Sequence, residues 1–105
     1  MTNSHRASLG EMLRDLRKQR KEPMRVVAAA VGIDSTLLSK IERGDRLPTD
    51  AQLTSLAAYF RVPLDGLVAQ VIAERIVADY GDKSATLQAV KIVKERLSGY
   101  GEEGE

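Results

Sequence analysis

Residues 24–44 read MRVVAAAVGIDSTLLSKIERG, and the fold turns on how this stretch divides. Two short segments of helical periodicity flank Gly32, Ile33 and Asp34, a connection with room only for a tight turn. Gly32 supplies the tolerance of left-handed backbone that such a turn demands. Asp34 is placed as the N-cap of the second segment, and Ile33 and Leu38 stand at the two positions of a hydrophobic staple around it. Val27, Val31, Ile33, Leu38 and Ile41 then point inward from both segments as one miniature core, while the small Ala28 leaves room at the crossing point. On the outside of the second helix this leaves Ser35, Thr36, Ser39 and Lys40, all short or hydrogen-bonding. Leu37 points outward as well in this register.

The rest of the chain reads as further helices joined by short turns. SLGE at 8–11 is a capping box, after which Leu9, Met12, Leu13 and Leu16 recur at helical spacing. Pro23 bars continuation past Glu22 and suits the first turn of the next helix. TDAQ at 49–52 is a second capping box, opening a helix with Leu53, Leu56, Ala57 and Phe60 on its buried stripe. A fifth helix is expected from about 63 to 80 and a sixth from about 85 to 97, with GDKS turning the chain between them. Strand signals are missing: the chain holds one Phe and no Trp, and no run alternates with period two. The expected organisation is all-α, with a flexible N-terminal tail at 1–7, a helical domain at 8–68, a helical extension at 69–98 and a disordered acidic tail at 99–105. Gly-rich SGYGEEGE has nothing to bury, which is the reason for that last expectation.

Composition narrows the function classes. With 105 residues, 43% hydrophobic and 30% charged, the chain has the make-up of one small globular domain with an appendage. It has no cysteine, which excludes disulfides, thiolate metal sites and cysteine nucleophiles. The single histidine, His5, lies in the N-terminal tail, and no P-loop, nucleophile elbow or metal-spaced cluster is present. An enzyme, a cofactor and a metal are therefore not expected. No apolar run spans a bilayer and no secretory h-region opens the chain, so the expected location is the cytoplasm. The net charge of +1 hides an asymmetry: residues 1–47 carry ten Lys and Arg against six Asp and Glu, residues 48–105 six against nine. A basic front half points to a polyanionic partner.

Residues 9–67 resemble the Cro/repressor-type helix-turn-helix family, also called XRE or lambda-repressor-like. The resemblance rests on LGEMLRDLR, VVAAAVGI, DSTLLSKIERG, LPTDAQLTSLAAYF and VPLDGLV, with Ala fifth, Gly ninth, Leu fifteenth and Ile eighteenth counted from Met24. It implies a five-helix DNA-binding domain acting as a homodimer on a palindromic operator, usually to repress. The second helix of the motif then lies in the major groove of double-stranded DNA, which admits a helix whose outward side chains are short or hydrogen-bonding. Ser35, Thr36 and Lys40 fall on base-reading positions, with Ser39 beside them; Lys40 suits guanine O6/N7, and the Thr36 methyl suits a thymine methyl. Phosphate contacts are expected from the second helix's N-terminus at Met24 and from Arg25, Arg43 and Arg46. Glu42, which would repel phosphate, is expected to pair with Arg17 of the first helix as a scaffold rather than a reader. One departure weakens the phosphate clamp: the family usually has Gln where this chain has Met24, and Asp45 blunts the charge of Arg46.

The C-terminal third goes beyond that domain. Leu64, Leu67, Val68 and Val71 are expected to close the core, whereas Ile72, Ile76, Val77 and Tyr80 form a second apolar face on the same helix. The sixth helix adds Leu87, Val90, Val93 and Leu97 at spacings of three, three and four. These eight residues are read as a homodimer interface, similar to family members with a two-helix dimerisation hook. The chain leaves no room for a sensory domain, so no small-molecule effector pocket is expected. The alternative reading is an antitoxin or anti-regulator whose C-terminal helices bind a partner protein such as a toxin or anti-repressor, with DNA binding autoregulatory or weak.

Overall fold

Ser8 opens the first helix as the spacing requires: its hydroxyl accepts from the Glu11 N–H and the Glu11 carboxylate accepts from the Ser8 N–H, closing a capping box. The computed structural model describes residues 8–81 and 83–103. Among them are six helices and no strand: α1 Leu9–Gln19, α2 Met24–Val31, α3 Ser35–Arg43, α4 Asp50–Phe60, α5 Leu64–Tyr80 and α6 Ser84–Glu103. The tail expected at 1–7 lies outside the described residues. The chain divides into two compact units, one ending at Glu74 and the other beginning at Arg75.

The first unit is built around one aliphatic core. Leu9 and Leu13 of α1, Val27 and Val31 of α2, Leu38 and Ile41 of α3, Leu53, Leu56 and Phe60 of α4, and Leu67 and Val71 of α5 are all buried in it. Ala28 is buried too, where a larger side chain would hold α2 and α3 apart. Gly32 closes α2 at φ 79°, and the Ile33 N–H bonds the Ala28 carbonyl at 3.0 Å, satisfying a group the helix end would leave unpaired. Asp34 then caps α3, its carboxylate accepting from the Leu37 N–H at 2.7 Å. Thr49 and Gln52 form the second capping box, at the start of α4. A tertiary cap joins α5 to α1: the Glu74 carboxylate accepts from the Leu9 N–H at 3.0 Å, placing negative charge at a helix N-terminus.

Some expectations change. Pro23 is the N-cap of α2 rather than a residue of its first turn, with ψ at 159°. Leu64 and Val68 are exposed, because the buried stripe of α5 is centred on Leu67 and Val71 and leaves them on its flank. Leu37 is half-buried against the core instead of pointing outward. In the second unit, Gly81 ends α5 with its N–H bonded to the Val77 carbonyl at 2.8 Å. The Thr86 hydroxyl donates to the Tyr80 carbonyl at 3.2 Å across the following turn. α6 runs to Glu103, past the expected end at Leu97 and through most of the stretch read as disordered. Once a helix is nucleated, each added residue gains a backbone hydrogen bond, so an end signal weaker than proline need not stop it. No residue of α6 whose side chain is described is buried.

Candidate nucleic-acid interface

α3 carries two opposed faces. Leu38 and Ile41 are buried, whereas Ser35, Thr36 and Lys40 are exposed, and no side-chain hydrogen bond engages those three among the described residues. Ser39 differs from them: it is half-buried, and its hydroxyl accepts a hydrogen bond from the Arg43 guanidinium. Arg43 also pairs with Asp45, Nε to Oδ2 at 3.1 Å, with both side chains largely in solvent. Arg43 is thus committed to partners on its own surface. Arg25 and Arg46 are exposed and form no ion pair among the described residues.

The Met24 side chain is half-buried against the core, so the polar group this position offers outward is its backbone N–H. Nothing caps α2 through a side chain, because proline at the N-cap has no acceptor there. Near this end a polar cleft of about 730 Å³ is lined by Glu11, Arg14, Arg17, Met24, Arg43 and Asp45. Arg14 had no signal in the sequence, since an exposed Arg on a helix reads as solvated charge.

Glu42 is the one buried charged residue among those described. Arg17 reaches it with a two-point grip, Nε to Oε2 at 2.7 Å and Nη2 to Oε1 at 2.9 Å, and Nη1 bonds the Glu22 carbonyl at 3.2 Å. The hydrogen bond to Glu42 raises the Arg17 pKa further above its ordinary value, against the opposing effect of burial. A fork of this kind fixes the angle between two helices as well as their charge balance. A second cluster lies where α1 leads to α2. The Arg20 guanidinium lies 4.5 Å from the Tyr59 ring centroid and pairs with Glu22 at 2.9 Å, while the Tyr59 hydroxyl donates to Glu22 at 2.7 Å. The Tyr59 hydroxyl, followed by Arg20, holds the Glu22 carboxyl below its ordinary pKa. Sequence reasoning missed this cluster because Tyr59 lies 37 residues beyond Glu22 in the chain.

In the second unit the residues read as an interface remain uncovered. Val77, Tyr80, Leu87, Val90, Val93 and Leu97 are exposed, Leu87 to 71%, and Ile76 is half-buried. Ile72, in the part of α5 belonging to the first unit, is exposed as well. An apolar hollow of about 680 Å³ is lined by Ile76, Tyr80, Ala85, Ala89, Val90 and Val93. The expectation concerned a small-molecule effector pocket; this hollow is open, formed where the end of α5 faces α6. No helix among the described residues is long and apolar enough to cross a membrane, and no cluster of potential metal ligands occurs among them.

Two short helices on a three-residue turn, packed on three others, with polar side chains standing on the outer face of the second, define a helix-turn-helix protein. The chain belongs to the helix-turn-helix domain family of XRE type, whose model matches residues 8–70. It is 43% identical over 61 residues to RghRB of Bacillus subtilis strain 168, named an uncharacterized HTH-type transcriptional regulator. That match covers 57% of this chain and 44% of RghRB. It is 37% identical over 62 residues to the HTH-type transcriptional repressor RghR of the same organism, covering 58% and 46% of the two chains. The chain therefore spans less than half the length of these curated relatives. Among solved structures it is similar to the P22 c2 repressor protein crystallised with a synthetic operator, with a TM-score of 0.56 and 26% identity, over 58% of this chain and 92% of that one. The relatives are named as regulators of transcription and not as enzymes.

Proposed function

We propose that this protein is a sequence-specific DNA-binding regulator of transcription, a repressor that binds a palindromic operator as a homodimer. The observation that carries the reading is the two-faced α3, with Leu38 and Ile41 buried and Ser35, Thr36 and Lys40 exposed and unengaged. The names of RghR and of the operator-bound P22 c2 repressor support it. Ser35, Thr36 and Lys40 read base edges, with Lys40 donating to guanine O6/N7. Ser39 contributes only when DNA draws Arg43 away from its hydroxyl. Arg43, Arg25, Arg46 and the backbone N–H groups at Met24 take phosphates. Arg17 and Glu42 hold α3 at its angle and touch no base.

A single helix in the groove reads only a few base pairs, so a second copy is needed to specify a site. Apolar side chains left in solvent on α5 and α6 fit that role, since each large aliphatic buried is worth roughly 1.5–3 kcal/mol. The same surface supports the antitoxin or anti-regulator reading, in which a different protein covers it. Such a regulator works in the cytoplasm, on the nucleoid. Selection of bound sites from random duplex DNA tests the proposal. The expected product is a palindrome with half-sites about 10 base pairs apart. Recovery of no enriched sequence overturns it.

A further inference from the structure

Gly10 lies buried in the first turn of α1, where helix propensity favours alanine. A Cβ at this position would lie 2.4 Å from the Glu42 carbonyl oxygen, 2.6 Å from that of Ile41 and 2.8 Å from the Glu42 carbonyl carbon. All three atoms belong to the backbone of α3's last turns, so no rotamer change relieves the clash. The closest approach is roughly 1 Å inside ordinary van der Waals contact. Gly66, by contrast, has nothing within 4 Å of its added Cβ.

We propose that Gly10 is a specificity-determining positioning residue: the missing side chain lets α1 rest directly on the backbone of α3 and so sets the depth and tilt at which α3 meets DNA. This rests on the DNA-reading role proposed above. α1 grips α3 at two places, by backbone contact at Gly10 and by the Arg17 fork on Glu42 seven residues later. With the fork in place as a pivot, pressure at Gly10 turns α3 instead of merely lifting it. A nine-residue helix moves as a rigid rod, so a displaced C-terminal turn carries Ser35, Thr36 and Lys40 with it. Hydrogen bonds to base edges tolerate only a few tenths of an ångström. Phosphate contacts made by long arginines tolerate more, because they are largely electrostatic.

The test compares the wild type, Gly10→Ala, Gly66→Ala and Leu53→Ala on the operator recovered by selection and on an unrelated duplex, at one salt concentration. All are measured at a temperature where far-ultraviolet circular dichroism shows each folded. Gly10→Ala is expected to lose operator affinity by on the order of tenfold or more, the size of one lost base contact, with binding to unrelated DNA within about twofold of wild type. Gly66→Ala is expected to leave both unchanged. Leu53→Ala, a cavity in the core on α4 that leaves the Gly10 contact untouched, is expected to lower the melting temperature without changing the ratio of the two affinities. The inference is overturned if Gly10→Ala keeps the wild-type ratio. It is overturned equally if Gly10→Ala has no folded state even when combined with Gly66→Ala, because Gly10 then serves folding alone. A wild type that selects no sequence fails earlier, at the DNA-reading role itself.

Discussion

Glu22 shows how a single side chain can join parts of the chain that sequence patterns treat separately. It pairs with Arg20 two residues before it and accepts from the Tyr59 hydroxyl on α4. Its folded-state pKa lies below the ordinary value, so its contribution to stability is present above the unfolded-state pKa of about 4.3 and is lost as pH falls through the lower, folded value. Glu22→Gln is therefore expected to melt at a lower temperature than wild type at pH 7, with the difference shrinking as the solution is acidified below about pH 4. Thermal scans across that range check it, and an undiminished gap at acid pH would rule the linkage out. Ser39 and Arg43 show the opposite limit of residue-level reading. Each was read as pointing at DNA, and in the structure each is engaged by the other, with Asp45 taking the rest of the guanidinium. In the sequence Asp45 stands out only as a neighbour of Arg46. Its reach back to Arg43 depends on the turn made at Gly44, which side-chain type alone does not reveal.

The elements were largely legible because their ends carry chemistry. Ser8, Asp34 and Thr49 each make the capping hydrogen bond that their residue type suggests, and Gly32 takes the left-handed conformation that the turn requires. What was not legible is where long helices stop and which flank of a broad apolar stripe stays wet. α6 has no proline to end it and continues to Glu103, and Leu64 and Val68 sit just off the stripe that Leu67 and Val71 bury. The fastening of α3 to α1 belongs to this scale too. Its ion pair was expected from the family resemblance, whereas the backbone contact at Gly10 was signalled only by a glycine inside a helical pattern. The Glu42 side chain is 5% exposed and that of Arg17 is 13% exposed. Arg17→Ala strands a buried carboxylate, and the expected cost is about 3–5 kcal/mol, read as a shift in urea midpoint at constant slope. A loss below about 1 kcal/mol would mean that water reaches Glu42 freely and that the pair fastens nothing.

At the scale of the whole molecule, the second unit presents an apolar surface that calls for a covering partner. A chain of 11.5 kDa that leaves Leu87, Val90, Val93 and Leu97 in solvent is expected to associate with its own kind. Light scattering at tens of micromolar should give twice the chain mass for wild type, and Val93→Glu should reduce it to a single chain by burying a carboxylate in the interface. A wild type that stays monomeric would favour capture of a different protein by the same surface. Operator binding should then follow the dimer, because two half-sites add their base and phosphate contacts. The most direct measurement compares Lys40→Ala with Arg43→Ala on the selected operator, on operators altered one base at a time, and on unrelated duplex, over a range of salt. Lys40→Ala is expected to lose discrimination at one base in each half-site, about 1–3 kcal/mol, and to leave unrelated DNA bound as before. Arg43→Ala is expected to weaken every duplex alike and to reduce the salt slope by about one. If both variants bind all these DNAs as wild type does, α3 does not enter the groove.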